Sequence, residues 1–184
     1  MVEISELELE GVLELRPRRW PDERGSFSEV WRDDWLVVEG SSVRFVQDNH
    51  SFSRKRGVVR GLHYQRPPAA QHKLVRVTRG SVFDVAVDMR AASPTFGRWV
   101  GKTLSAAEWN QLFVPIGFAH GFVALEDETE VLYKVSAAYS PEHEQSVRFD
   151  DPTIAISWPV EGDALTVSPK DLAAPFLLDI DSGF

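Results

Sequence analysis

The chain has 184 residues, of which 43% are hydrophobic and 26% charged, the balance of an ordinary soluble globular protein long enough for one full core. It contains no cysteine, so disulfides and thiolate metal sites are excluded, and a reducing compartment fits without being required. A formal net charge of −8 weighs against nucleic acid, whose binding rests on phosphate neutralisation, but leaves room for one anionic small molecule in a locally basic pocket.

The N-terminal MVEISELELE is acidic and lacks the apolar core of a secretory signal. No apolar run approaches the roughly 18 residues of a transmembrane helix, and the cytoplasm is the expected location. Residues 5–15 alternate, with Leu7, Leu9, Leu13 and Leu15 on one face and Glu6, Glu8, Glu10 and Glu14 on the other. This predicts a half-buried strand, or a hairpin broken at Gly11. PDERGSF reads as a turn, and residues 29–38 as one short helix. Short strands are predicted over 43–48, 57–65, 73–78, 81–89, 97–104, 111–115, 118–125 and 129–136, separated by turns such as RPPAAQ, TRG and ASPTFG. SAAE at 105–108 matches a capping box and predicts one helical turn.

Many short strands with Gly/Pro turns predict an all-β sandwich or barrel, with residues 1–184 as a single domain. In SVFDVAVDM, Phe83, Val85, Val87 and Met89 share one face, while Asp84 and Asp88 share the other with Val82 and Ala86. A jelly roll that packs one side of this strand against other chain and turns the other towards a polar ligand has this pattern.

The candidate chemistry lies in RGVVRGLHYQ, residues 56–65. A metal site of the two-histidine strand type needs ligands at i and i+2, which alternation places side by side. Here Gln65 stands at i+2 from His63, and Lys73 beside His72 would repel a cation, so no metal is expected. The chain has no GxxxxGK[ST], GxGxxG or GxSxG, so any phosphate must be held by side chains, with Arg24 and Arg60 as candidates. The cluster Arg54, Lys55, Arg56, Arg60, Arg66, Lys73, Arg76 and Arg79 reads first as a solvated strand edge. Proton chemistry remains, with His63 as base, Asp171 as its orienting carboxylate, Tyr133 as acid and Lys73 as oxyanion stabiliser. Each has a plainer reading: a core histidine, a helix cap in Ser168-x-x-Asp171, a core aromatic and a surface lysine.

Taken together, DERGSFSE, FVQDNHS, VVRGLHYQ, QHKLV, GSVFDVAVDMR, SPTFG, FVPIGFAHGF, VLYK, AYSPEHE and SPKD run in order over nearly the whole chain. The sequence resembles the dTDP-4-dehydrorhamnose 3,5-epimerase family. The resemblance implies an all-β, cupin-like jelly-roll (double-stranded β-helix) barrel with a few short helices. It implies a cofactor-independent epimerase, acting on a dTDP-4-keto-6-deoxy sugar in dTDP-L-rhamnose biosynthesis, and a homodimer. It assigns His63 as proton acceptor oriented by Asp171, Tyr133 as proton donor, and Lys73 beside the 4-keto oxygen. It assigns Arg24, Phe27, Glu29, Gln47, Asp48, Asn49, Arg60, His120, Tyr139, Glu144 and Lys170 to the nucleotide-sugar site. Two positions depart from the family's pattern: His72, which is expected to narrow the pocket edge, and Phe149 in place of a frequent Trp.

Strict alternation puts Arg60 and His63 on opposite strand faces, so if both meet one ligand the strand must bulge or twist near Gly61. The alternatives are an epimerase of C3 alone or C5 alone, a non-catalytic sugar-nucleotide-binding cupin, and a metal-dependent cupin oxygenase.

Overall fold

A computed structural model describes residues 2–160 and 164–184. The first antiparallel sheet contains β1 (Val2–Glu6), β2 (Leu13–Pro17), β7 (Gln47–Ser53), β9 (Lys73–Arg79), β12 (Gln111–Val114) and β14 (Thr129–Val135), in the order β1-β2-β12-β9-β14-β7. The second contains β8 (Val59–Gln65), β10 (Ser81–Asp88), β11 (Trp99–Ser105), β13 (Phe118–Ala124) and β15 (Glu144–Ser146), in the order β11-β10-β13-β8-β15. Two small hairpins, β3 (Trp20–Asp22) with β4 (Gly25–Phe27) and β5 (Val37–Val38) with β6 (Ser41–Ser42), lie outside them. Chain neighbours fall repeatedly in opposite sheets, the connectivity of a jelly roll. The two sheets face each other as open layers and share no strand.

The alternation in β10 is realised as expected. Val85, Val87 and Met89 pack outward with Leu62 and Tyr64, under Phe149, Ile154, Trp158, Val160 and Leu177 from the last part of the chain. Phe149 is buried in this outer layer, and its carbonyl accepts from Trp158 Nε1 at 2.9 Å. Val82 and Ala86 face inward with Val75, Val77, Leu104, Leu112, Phe118, Phe122 and Val131, forming the layer between the sheets. Covering both faces of this sheet leaves its central strands β10 and β13 buried at nearly every position.

Several elements differ from the sequence reading. Residues 5–15 form the hairpin alternative, with β1 and β2 joined across a turn that Gly11 makes at φ +85°. Glu14, expected to face water, is buried and held by Arg16 at 2.9 Å, Lys102 at 2.8 Å and Asn110 Nδ2 at 2.8 Å. No helix forms at 29–38. Trp31, Trp35 and Leu36 instead lay an irregular segment over Leu15, Leu74 and Phe113 on the outside of the first sheet. Tertiary burial of large aromatics outweighs local helical preference there. The strand predicted at 43–48 begins later, as β7 over 47–53. At 105–108 the cap is half made, since Ser105 Oγ accepts from Glu108 N at 3.0 Å over a single turn.

The candidate active site

Between the two sheets lies a cavity of about 540 Å³, with walls from β7, β9 and β14 on one side and β8, β13 and β15 on the other. It falls within the size range of small-molecule sites. Its polar residues include His63, Lys73, His120, Tyr133, Asp171, Arg60, Gln47, Asn49, Tyr139, Glu144 and Lys170.

His63 and Arg60 both line this cavity, and a bulge makes that possible. Along the β8–β13 ladder His63 pairs with His120 while Arg60 pairs with Phe122, so Gly61 and Leu62 together stand opposite Gly121. The extra residue flips the alternation between Arg60 and His63. Only glycine fits at the bend: Gly61 has φ +123°, and a Cβ there would lie 2.5 Å from Gly121 Cα and 2.8 Å from the His120 carbonyl.

His63 Nε2 meets Asp171 Oδ1 at 2.7 Å. This contact fixes the ring and leaves Nδ1 as the nitrogen available to a ligand. Asp171 lies in α1 (Pro169–Leu172), whose N-cap is Ser168, with Ser168 Oγ accepting from Asp171 N at 3.1 Å. The helix cap and the pairing with His63 are therefore compatible, because the cap presents the carboxylate. Residues Leu165–Val167 reach this place by running beside β8: Val58 bridges Thr166, and Val59 N donates to the Thr166 carbonyl at 2.9 Å. Burial works to raise the Asp171 carboxyl, but the hydrogen bond and charge of His63 win and hold it below the usual carboxylate range.

Lys73 is buried, and its Nζ donates to the His63 carbonyl at 2.9 Å. Desolvation pulls its ammonium down to about 8, against the opposing charges of Asp84 and Glu144. Tyr133 enters from β14 in the opposite sheet, and burial pushes its hydroxyl above the ordinary tyrosine value. His120 Nε2 lies 2.9 and 3.0 Å from the two oxygens of Asp84. At the rim, Glu144 Oε2 accepts from Lys170 Nζ at 2.6 Å and from the Tyr139 hydroxyl at 2.9 Å. Gln47 Nε2 donates to Asn49 Oδ1 at 2.8 Å.

Four residues assigned to the site by resemblance lie outside this cavity. Arg24 and Phe27 lie on the exposed β3–β4 hairpin, where Arg24 pairs with Asp22 at 2.6 Å, and Glu29 follows it beside Arg32. Asp48 alternates to the outer face of β7 and binds Lys134 at 2.9 Å. His72 does not narrow the pocket. Its ring stacks on Phe113, and Nδ1 accepts from Ile116 N at 3.1 Å, so Gln71 lines that edge instead. The basic cluster divides. Arg60 and Lys73 reach the cavity, while Lys55, Arg66 and Arg79 pair at the surface with Asp127, Asp181 and Glu128.

Ser51, Phe122 and Ser168 also line the cavity and were not foreseen. Ser51 continues the Gln47, Asn49 alternation, but a strand ended at residue 48 hid it. Gln65 is held by the backbone, donating to the Ala69 and Ala138 carbonyls at 2.6 and 3.2 Å and accepting from Ser140 N at 2.8 Å. Among the described residues, no three His, Asp or Glu side chains group as a metal site.

What this cavity can do is move protons. A histidine on one sheet, paired with a carboxylate on α1, shares the cavity with a phenol from the other sheet and a buried ammonium, and that defines an acid–base isomerase on a jelly-roll scaffold. A profile described as dTDP-4-dehydrorhamnose 3,5-epimerase matches residues 6–179, and the chain belongs to that family. The dTDP-4-dehydrorhamnose 3,5-epimerase of Shigella flexneri is 48% identical over 179 residues, covering 97% of each chain. Among solved structures, the dTDP-6-deoxy-D-glucose-3,5-epimerase of Legionella pneumophila, in complex with dTDP-4-keto-L-rhamnose, aligns with TM-score 0.91 and 44% identity over 99% of this chain and 96% of its own. A 3'-monoepimerase from Streptomyces bikiniensis, in complex with dTDP-quinovose, aligns with TM-score 0.86 and 34% identity over 94% of this chain and 86% of its own.

Proposed function

We infer that this chain converts dTDP-4-dehydro-6-deoxy-D-glucose to dTDP-4-dehydro-L-rhamnose by inverting C3 and C5, as a cofactor-independent epimerase. The observation that carries the reading is the placement of His63 and Tyr133 on facing sheets across one cavity. Inversion needs a base on one face of the sugar and a donor on the other. In the D-gluco chair the hydrogens on C3 and C5 are both axial and on the same face, so one base can serve both carbons.

In this reading His63 Nδ1 takes the proton while Asp171 stabilises the imidazolium that forms. The electron pair of the broken C–H bond moves into the C4 carbonyl, giving an enolate with its charge on the 4-oxygen. Lys73 stands as the donor to that oxygen, and losing such a donor typically costs on the order of 100- to 1,000-fold in rate. Tyr133 delivers a proton to the opposite face, and its raised value keeps it protonated at neutral pH. Arg60 and Lys170 supply positive charge for the diphosphate, with Gln47, Asn49, His120, Tyr139 and Glu144 as further contacts. Arg24, Phe27, Glu29 and Asp48 lie outside the cavity as this single chain forms it. Residues 1–184 act as one domain, as a homodimer and in the cytoplasm. No helix among the described residues is long and apolar enough to cross a membrane.

The test is NMR of dTDP-4-dehydro-6-deoxy-D-glucose with the protein in heavy water. Deuterium at both C3 and C5 with formation of the L-rhamno product supports the reading. The likeness to a 3'-monoepimerase makes the second outcome specific: deuterium and inversion at C3 alone would reassign the chain to that activity.

A further inference from the structure

Behind the cavity wall lies a second histidine–carboxylate pair, His120 with Asp84, whose carboxylate the mechanism above leaves unused. Asp84 is completely buried, on the inward face of β10 between Val82 and Ala86. Its hydrogen-bonding side-chain partner among the described residues is His120, which stands opposite His63 across the β8–β13 ladder. A carboxylate in such an apolar layer is poorly explained by stability, since apolar residues of similar size serve there as well or better.

Resting on the epimerase reading, we propose that Asp84 is a positioning residue, whose buried negative charge fixes His120 in the cavity wall and holds Lys73 in its charged form. Lys73 needs such support. It is enclosed in the intersheet layer with one hydrogen bond, to the His63 carbonyl, and desolvation alone works to neutralise it. The titratable and charged groups around it are Asp84 on β10, buried behind the wall, and, lining the cavity, His63 and Arg60 on β8, His120 on β13, Tyr133 on β14, Glu144 on β15, and Lys170 and Asp171 on α1. Of these, Asp84 is the leading charge holding the ammonium up, ahead of Glu144. An ammonium that lost its proton would leave the enolate oxygen without its cationic donor, so the fraction charged sets the alkaline limit of the reaction.

The test is the pH profile of kcat/KM for Asp84→Asn, which keeps the shape of the carboxylate and an oxygen for His120. The wild type should lose activity above about pH 8, as Lys73 deprotonates. In Asp84→Asn the alkaline limb should move to lower pH by about one unit, the scale expected for removing a nearby opposite charge. In Lys73→Arg, whose cation does not titrate in this range, the limb should vanish, and adding Asp84→Asn should lower activity without restoring it. An unshifted limb in Asp84→Asn would overturn the proposal.

If Asp84→Asn fails to fold, the pair Asp84→Asn with Lys73→Met decides. Recovery of a folded protein shows that the carboxylate balances the lysine, and continued misfolding overturns it. A wild type that does not turn over the 4-keto sugar would instead overturn the epimerase reading itself.

Discussion

Replacing Tyr133 by phenylalanine should separate two events that the native protein couples. The hydroxyl has no hydrogen bond within the described residues, and its raised value comes from burial and nearby charge. Removing it therefore orphans no partner, the ring keeps its packing, and stability should change by less than about 1 kcal/mol. The base, Asp171 and Lys73 all remain. A positioned general acid contributes about 100- to 10,000-fold, or roughly 3 to 5 kcal/mol of barrier, so inversion should fall by that factor. Deprotonation should continue, and His63 can return a deuteron to the face it came from. In heavy water the variant should wash deuterium into the substrate, at one carbon at least, while making little inverted sugar. His63→Ala should abolish exchange at both carbons. NMR of the sugar reads exchange and inversion in one experiment. Normal inversion by Tyr133→Phe would show that another group or a water is the acid. Loss of exchange as complete as in His63→Ala would place Tyr133 in proton abstraction or binding and refute the two-faced arrangement.

Gly61→Ala would drive a Cβ against the Gly121 backbone at a φ of +123°. Strain and overpacking together should cost about 2 to 6 kcal/mol, seen as a Tm lowered by on the order of 10 °C, and activity should fall as Arg60 and His63 lose their common face. Acid stability should depend on Asp88. Burial works to raise this carboxyl, but hydrogen bonds from Arg90, Ser93 and Thr95 pull it down to about 2 from a reference value of 3.8. The contribution, about 2 kcal/mol, is fully present above the unfolded value and lost as pH falls through the folded one. Ser93→Ala or Thr95→Ala should therefore move the midpoint of acid unfolding, followed by circular dichroism, to higher pH. Exhaustive chelation should leave turnover unchanged, because Gln65 occupies the position of a second ligand and is tied to the backbone. Activity that disappears on chelation and returns with a stoichiometric metal would contradict this.

Much of this architecture was legible because β-structure writes its period directly into sequence. Seven of the eight predicted strands lie within two residues of the observed ones, and the two-faced reading of β10 named which side carries Asp84. The bulge at Gly61 was also legible, since two ligand-facing residues three apart on a strand demand one. What failed was what depends on distant partners. The segment at 29–38 forms no helix because Trp31, Trp35 and Leu36 pack over the first sheet, against residues far along the chain. Glu14 looked solvent-facing because Lys102 and Asn110, which hold it, come some ninety residues later. The short β15, which brings Glu144 to the rim, has too few residues to show a period. Arg24, Phe27 and Glu29 lie outside the cavity as this single chain forms it, and motif matching, which preserves order along a chain, carries no position in space.

The hydrogen bond from Lys73 to the His63 carbonyl joins β9 of one sheet to β8 of the other. Mechanically it is a cross-tie between two plates. Slow widening or narrowing of the gap between the plates would change the distance from His63 to Tyr133, yet the tied lysine and histidine would travel together. Under the proposed mechanism, the carbanion would be formed and held by a rigid unit, while reprotonation from the far plate would take up the slack. Vibration of the scaffold would accordingly be felt more in how often an abstraction ends in inversion than in how often abstraction occurs.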